Sequence, residues 1–205
     1  MSQIPQNSRP VLSLVVPMFN ESGNVDRLFA RLTEVMAGLG VTYEIVCVDD
    51  GSRDDTVARV VDHHGRDPRI KMVELSRNFG KELALTAGLQ HSTGQAVIMI
   101  DADLQHPPEL IGEMLDKWRK GFEMVIAVRR SRDDESAFKR AGARAFYRLF
   151  AQVSEVSLPQ GAGDFRLLDR KVVDVLNAMP EHTRFMKGLY AWVGFRQTSI
   201  PYDVA

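Results

Sequence analysis

Ala96-Val97-Ile98-Met99-Ile100-Asp101-Ala102-Asp103-Leu104-Gln105 decides how this chain is read. An apolar run ends abruptly in two carboxylates and an amide. The run predicts a buried strand over Ala96–Asp101, with the acids at its carboxyl end. Carboxylates two apart on an extended segment point the same way. Hard oxygen donors of this kind suit Mg²⁺ or Mn²⁺, which complete their shells with water and phosphate oxygens. The competing reading is an acidic loop before a helix, since Pro107-Pro108 suits a helix N-terminus. The rest of the chain weighs between them.

Working outward, strands are predicted at Val11–Val16, Tyr43–Asp49, Ile70–Leu75 and Met124–Val128. Helices are predicted at Val25–Leu39, Asp55–His64, Glu82–His91 and Pro108–Lys120. This alternation implies βαβ units and an α/β fold, a mostly parallel central sheet flanked by helices. Right-handed crossovers gather the strand ends on one edge, where open α/β sheets bind ligands. Four polar clusters fall there: Pro17–Glu21, Asp49–Asp55, Arg77–Lys81 and Asp101–Gln105. That convergence favours metal binding over a bare acidic loop.

Past Arg129 the alternation fades into a charged loop, Arg129–Glu135, and a basic helix, Ser136–Gln152. A turn at Gly161–Asp164 leads to a short strand, Phe165–Leu168. A helix at Asp169–Asn177 and a final strand at Phe195–Pro201 follow. No linker divides the 205 residues, so they read as one domain behind a flexible Met1–Pro10.

Composition narrows the class. The net charge of -1 argues against a nucleic-acid partner. The single cysteine, Cys47, lies in an apolar run and reads as a core thiol, so no disulfide framework is expected. No stretch approaches the roughly 20 apolar residues of a membrane span, and the N-terminus lacks a signal-peptide pattern. The 205 residues are therefore expected to behave as a soluble, cytosolic domain. The abrupt end at Pro201-Tyr202-Asp203-Val204-Ala205 suggests a piece of a longer protein.

Within the clusters, Asp49 and Asp50 are assigned to a ligand, as strand-end carboxylates that bond ribose hydroxyls or a base edge. Gly51, Ser52 and Asp54 are left to turn and cap. Phe19 is a candidate to pack on a base and Glu21 to accept from it, against a plain helix start capped by Asn20 or Ser22. Arg77 and Lys81, at a helix start, suit a diphosphate or a solvated basic loop equally.

Val15-Val16-Pro17-Met18-Phe19-Asn20-Glu21, Val48-Asp49-Asp50-Gly51-Ser52, Arg77-Asn78-Phe79-Gly80-Lys81 and Asp101–Gln105, in this order, resemble glycosyltransferase family 2. Within it the chain is similar to the polyprenyl-phosphate glycosyltransferases. Gly163-Asp164-Phe165-Arg166-Leu167-Leu168-Asp169, Arg184-Phe185-Met186-Lys187-Gly188 and Trp192-Val193-Gly194-Phe195 resemble the bacterial branch.

The resemblance implies a GT-A fold and inverting, metal-dependent transfer of a sugar from a nucleotide diphosphate, UDP favoured, to a polyprenyl phosphate. It implies nucleotide-sugar contacts from Pro17, Phe19, Glu21, Asp49, Asp50, Lys81, Asp101, Ala102 and Arg184. Mg²⁺ or Mn²⁺ would sit on Asp103 and Gln105 beside Asp101. Arg129, Lys139 and Arg140 would meet the acceptor phosphate. Asp164 matches the acid proposed as base, and it could equally orient a sugar hydroxyl or Arg166. One departure is Ala143, where part of the family has serine four residues past the basic position occupied by Lys139. Bacterial-branch members continue into membrane helices, which points to the cytoplasmic membrane face, and a homo-oligomer is compatible.

On a helix Arg140, Arg144 and Arg148 form one basic face beside Phe138, Ala141, Ala145 and Leu149, as expected at an anionic membrane surface or on an ordinary solvated helix. Rival classes fit less well. A phosphotransferase using Asp101 as nucleophile is poorly served by Leu104-Gln105. A nicotinamide enzyme wants a glycine-rich first turn, and Pro17–Glu21 has none. A sugar-nucleotide-binding module without turnover and a transferase with a non-lipid acceptor remain the alternatives.

Overall fold

Four parallel strands carry the first half of the chain: β1 (Leu12–Met18), β2 (Tyr43–Asp49), β3 (Ile70–Glu74) and β4 (Ala96–Met99). A computed structural model describes residues 9–130, 162–179 and 186–203. β5 (Met124–Arg129), β6 (Ala162–Asp169) and β7 (Gln197–Tyr202) complete a seven-stranded sheet of order β3-β2-β1-β4-β6-β5-β7. β6 runs antiparallel to both β4 and β5, and β7 runs parallel to β5. Every strand but β6 therefore points the same way.

The described helices are α1 (Val25–Leu39), α2 (Thr56–Arg66), α3 (Lys81–His91), α4 (Leu110–Arg119), α5 (Arg170–Ala178) and α6 (Met186–Trp192). They cover both faces of the sheet because β1 is apolar on both. Leu12, Leu14, Val16 and Met18 join α1 and α4 residues such as Leu28, Leu32, Ile111 and Met114 in one cluster. Val15 faces the other way, with Leu85 and Leu89 of α3, Val172 and Leu176 of α5, and Tyr190 of α6. α1 forms because Val25, Leu28, Phe29, Leu32 and Met36 recur at helical spacing and are all buried. It stops at Gly40, whose φ of 62° suits a left-handed C-terminal cap. Each such buried side chain contributes roughly 1.5–3 kcal/mol.

At the edge opposite the polar clusters, buried Glu44 ties three strands together. It accepts from Ser13 Oγ at 2.5 Å, Thr93 N at 2.6 Å and Thr93 Oγ1 at 2.9 Å, and it pairs with Lys71 at 2.5 Å. Burial alone would push its carboxyl up, but these partners hold it below the ordinary value. Cys47 is a buried thiol raised by burial, as a core thiol should be.

Several boundaries move from their sequence-based positions. β1 extends through Pro17 to Met18, and β4 stops at Met99, two residues before Asp101. Asp101–Gln105 is therefore a turn, and the same-side argument from an extended strand does not hold there. The short strand expected at Phe165–Leu168 is an eight-residue reversed strand. α6 was not foreseen: its Gly188 and aromatics are weak helix signals. It forms because Met186 and Tyr190, one turn apart, are buried against the α3 side of the core. The predicted basic helix, the start of the Gly161–Asp164 turn and residues 1–8 of the flexible lead lie outside the described residues.

Candidate active site

β1 is the hinge of the topology. The chain leaves it for β2 and β3 on one side, then returns to β4 on the other. The diverging loops open a crevice at the carboxyl ends of β1 and β4, the switch point where α/β sheets bind ligands. A cleft of about 340 Å³ lies there. Of the predicted residues, Pro17, Phe19, Glu21, Asp50, Lys81, Asp101, Ala102 and Asp103 line it. Met18, Asn78, Gly80 and Ala84 also line it, without having been singled out in the sequence.

The aromatic and the acids have distinct settings. Phe19 is 43% exposed, an apolar ring left uncovered at the rim. Glu21 accepts from Asn24 Nδ2 at 2.6 Å, while its backbone N–H donates to Thr56 Oγ1 at 2.8 Å. Asn20, at φ 56°, bridges the two loops by accepting from Arg53 N at 2.8 Å rather than capping α1. Asp49 is only 3% exposed. Its Oδ2 accepts from Gly51 N at 3.0 Å and Ser52 N at 2.9 Å, whereas its buried Oδ1 has no hydrogen-bond partner. An unpartnered buried carboxylate oxygen is costly unless something donates to it.

Asp50 has a structural task as well. Both its oxygens are engaged by the protein's own backbone, Oδ1 by Phe79 N at 2.7 Å and Oδ2 by Gly80 N at 2.8 Å. It clamps the β3–α3 loop to the end of β2 while also lining the cleft. Gly51 shows how close the two loops come. A Cβ there would lie 2.7 Å from Arg77 C and Asn78 N, and its φ is 75°.

The clamp delivers Lys81, the first residue of α3, into the cleft. Its Nζ reaches Asp101 Oδ1 at 2.6 Å and Asp164 Oδ2 at 3.0 Å. Burial opposes its charge, but the two carboxylates outweigh burial and hold the ammonium above its ordinary value. Asp101 is balanced in the mirror sense: burial pushes it up, and His106 with Lys81 brings it below the usual carboxylate range. Asp164, on β6, pairs with Lys81 rather than Arg166. Arg166 lies beneath, 3% exposed, with its guanidinium 4.0 Å from the Tyr190 ring and Nη2 donating to Gly163 O at 2.6 Å.

The turn after β4 is strained. Leu104 sits at φ 59°, a left-handed conformation that costs a non-glycine residue about 1–2 kcal/mol. Asp103 Oδ1 holds the turn by accepting from Gln105 N at 3.0 Å, and Asp103 O accepts from Arg27 at 3.3 Å. Gln105 is exposed and outside the cleft lining.

Asp101 and Asp103 together fit a divalent cation of the Mg²⁺ or Mn²⁺ kind. Both carboxylates face one cleft. No group of three or more His, Cys, Asp or Glu forms a metal cage among the described residues. Such ions are held by one or two carboxylates and take the rest of their shell from substrate phosphates and water.

Arg129 ends β5, exposed, opposite Tyr202 of β7. Arg184, Lys139 and Arg140 lie outside the described residues. His106 was missed in the sequence. It contacts Asp101, and its one available signal was position, immediately after Gln105.

A mostly parallel sheet with its cleft at the β1/β4 switch point and paired acids after β4 is the layout of a ligand-binding α/β domain. The chain belongs to glycosyl transferase family 2, whose sequence model matches residues 13–176. A glycosyltransferase of Synechocystis, itself uncharacterized, is 54% identical over 192 residues, covering 94% of this chain and 60% of that protein. The prophage bactoprenol glucosyl transferase homolog of Escherichia coli is 40% identical over 191 residues, covering 93% and 62%. The chain thus spans about 60% of the length of these relatives.

Among solved structures, the Pyrobaculum calidifontis mannosyltransferase bound to GDP-Man and Mn²⁺ superposes with a TM-score of 0.66 at 23% identity, covering 95% of this chain and 56% of that one. Glucosyl-3-phosphoglycerate synthase of Mycobacterium tuberculosis with Mn²⁺ and UDP-glucose gives 0.61 at 19% identity, covering 95% and 71%. These share the fold. No described helix is long and apolar enough to cross a membrane.

Proposed function

We propose that this protein transfers a sugar, with inversion, from a nucleoside diphosphate sugar to a polyprenyl phosphate at the cytoplasmic face of a membrane. The observation that carries the reading is the convergence of Lys81, Asp101 and Asp103 on one switch-point cleft, with Asp164 paired to Lys81. The bactoprenol glucosyl transferases among the relatives supply the acceptor class and glucose as the sugar, and the family resemblance of the sequence motifs favours UDP as its carrier. The nucleoside lies along the β1 and β2 ends. Phe19 packs on the base, Glu21 accepts from its N–H, and the unpartnered Oδ1 of Asp49 accepts from a ribose hydroxyl.

The diphosphate faces Lys81. Asp101 and Asp103, with Gln105 turned in from the same turn, would hold Mg²⁺ or Mn²⁺, which when bound would supply positive charge to the leaving diphosphate. The acceptor is already anionic, since a phosphomonoester loses its second proton near pKa ~6. Its oxygen attacks the anomeric carbon from the face opposite the diphosphate, which departs with the bonding pair. Positioning therefore matters more than deprotonation. Asp164, held by Lys81, orients a sugar hydroxyl, Arg184 contacts the donor, and Arg129 with Lys139 and Arg140 steers the acceptor phosphate. Arg140, Arg144 and Arg148, which lie outside the described residues, would meet anionic lipid headgroups.

The test is transfer of labelled sugar from UDP-glucose to undecaprenyl phosphate in detergent with Mn²⁺. Activity in wild type, lost in Asp103→Ala and nearly lost in Asp103→Asn, is expected. Full activity of either variant in a chelator would refute the metal assignment. Binding of UDP-glucose without transfer to any polyprenyl phosphate would leave a sugar-nucleotide-binding module instead.

A further inference from the structure

His106 lies in the β4–α4 loop, three residues past Asp103, and no part of the mechanism above uses it. Its imidazole is held on three sides. Nδ1 lies 2.7 Å from the Tyr202 hydroxyl, contributed by β7. The ring stacks on Phe165 of β6, with centroids 5.3 Å apart and planes 26° apart. The edge of Tyr202 closes a third side at 5.8 Å. The remaining nitrogen, Nε2, faces Asp101 Oδ2 at 3.5 Å. Tyr202 is itself fixed, 7% exposed, with its backbone O accepting from Arg130 N at 2.9 Å. Burial keeps its phenol above the ordinary value, so the hydroxyl retains its proton. With Nδ1 on the hydroxyl, Nε2 is the ring nitrogen left to face Asp101.

We infer that His106 is a positioning residue, locked by Tyr202 and Phe165, that fixes the Asp101 carboxylate for the divalent cation and diphosphate and so ties the end of β7 to the donor site. This rests on the donor-site reading given above. The geometry supports it because the two Asp101 oxygens are divided: Oδ1 to Lys81 at 2.6 Å, Oδ2 toward His106. Without the imidazole the carboxylate can rotate and present either oxygen. Groups that orient a ligating carboxylate in this manner typically account for 10–100-fold in metal affinity. Tyr202 also stands opposite Arg129 in the β5–β7 register, so one line of contacts runs from a basic strand end to the paired acids.

The test measures Mn²⁺ binding to the full protein with UDP present, by the paramagnetic resonance signal of free Mn²⁺, and UDP binding in chelator by calorimetry. His106→Ala should weaken Mn²⁺ binding about 10–100-fold while leaving metal-free UDP affinity unchanged. His106→Gln, which can again present an N–H, should recover part of the loss. Tyr202→Phe keeps the ring and removes only the hydroxyl. It should weaken Mn²⁺ binding several-fold, and the double variant His106→Ala/Tyr202→Phe should be no worse than His106→Ala alone. Wild-type Mn²⁺ affinity in His106→Ala, or additive losses in the double variant, overturns the inference. A melting temperature alongside separates loss of fold, and Tyr202→Phe decides the matter if His106→Ala does not fold. Absence of UDP binding by the wild type would overturn the donor-site reading and this inference with it; intact UDP binding with no His106 effect overturns this inference alone.

Discussion

Asp50→Ala removes a clamp whose strength can be worked from its bonds. The carboxylate accepts from Phe79 N at 2.7 Å and from Gly80 N at 2.8 Å. Hydrogen bonds to a charged group contribute about 1.5–3 kcal/mol each, and the higher figure needs full burial. Asp50 is only 4% exposed, but Phe79 is 40% exposed, so water can reach the freed amides. The low end applies, and the loss is about 3 kcal/mol. In a domain of this size each kcal/mol moves Tm by about 2–4 °C, which gives a drop of roughly 6–12 °C.

The loop also loses its anchor, so Lys81 is no longer held at Asp101 and Asp164, and transfer should fall with stability. Thermal melting reads the first effect. Amide exchange at Phe79 and Gly80 reads its cause, since both should lose protection. Asp50→Asn keeps one acceptor and turns an NH₂ toward the other amide, so it should fall between wild type and alanine. An alanine variant melting within about 1 °C of wild type, with both amides still protected, would show that the clamp is incidental.

Three further outcomes are expected. Asp49→Asn should keep its turn, because the amide oxygen can still accept from Gly51 and Ser52. It places an NH₂ where Oδ1 was, so UDP affinity should fall about 10–100-fold by calorimetry, and an unchanged affinity would return Asp49 to a purely structural role. Gly88→Ala should be destabilising by about 1–2 kcal/mol in urea unfolding, since the new Cβ would overlap Val15 Cγ1 and sit 3.2 Å from Val48 Cγ2. That loss outweighs the ~1 kcal/mol an alanine ordinarily gains in a helix, and a stabilised variant would contradict it. Glu44→Gln should cost about 2 kcal/mol at neutral pH. Because its folded-state pKa is lowered, the wild-type advantage is present above the unfolded value of ~4.3 and fades as pH falls through the lower folded value. A gap between the two proteins that stays constant down to pH 3 would remove Glu44 from the acid response.

The sequence by itself determined the elements whose signal is local. α1 and β2 lie where period and burial put them, because one apolar stripe or one continuous apolar run suffices to define each. The polar clusters could be assigned to a single edge because parallel strands with right-handed crossovers leave no other arrangement. Eight of the predicted residues consequently line the cleft.

What only the tertiary structure decided concerns partners far apart in the chain. The clamp that Asp50 makes rests on amides 29 and 30 residues away. His106 had no visible role until β7 brought the Tyr202 hydroxyl across 96 residues. Lys81 read equally as a phosphate contact and a solvated cation, and its pairing with Asp164 came only with the reversed strand β6. The physical reason is the same in each case. Residue type states what a side chain can bond, but strand order and register state what stands within 3 Å of it, and neither is written in local periodicity.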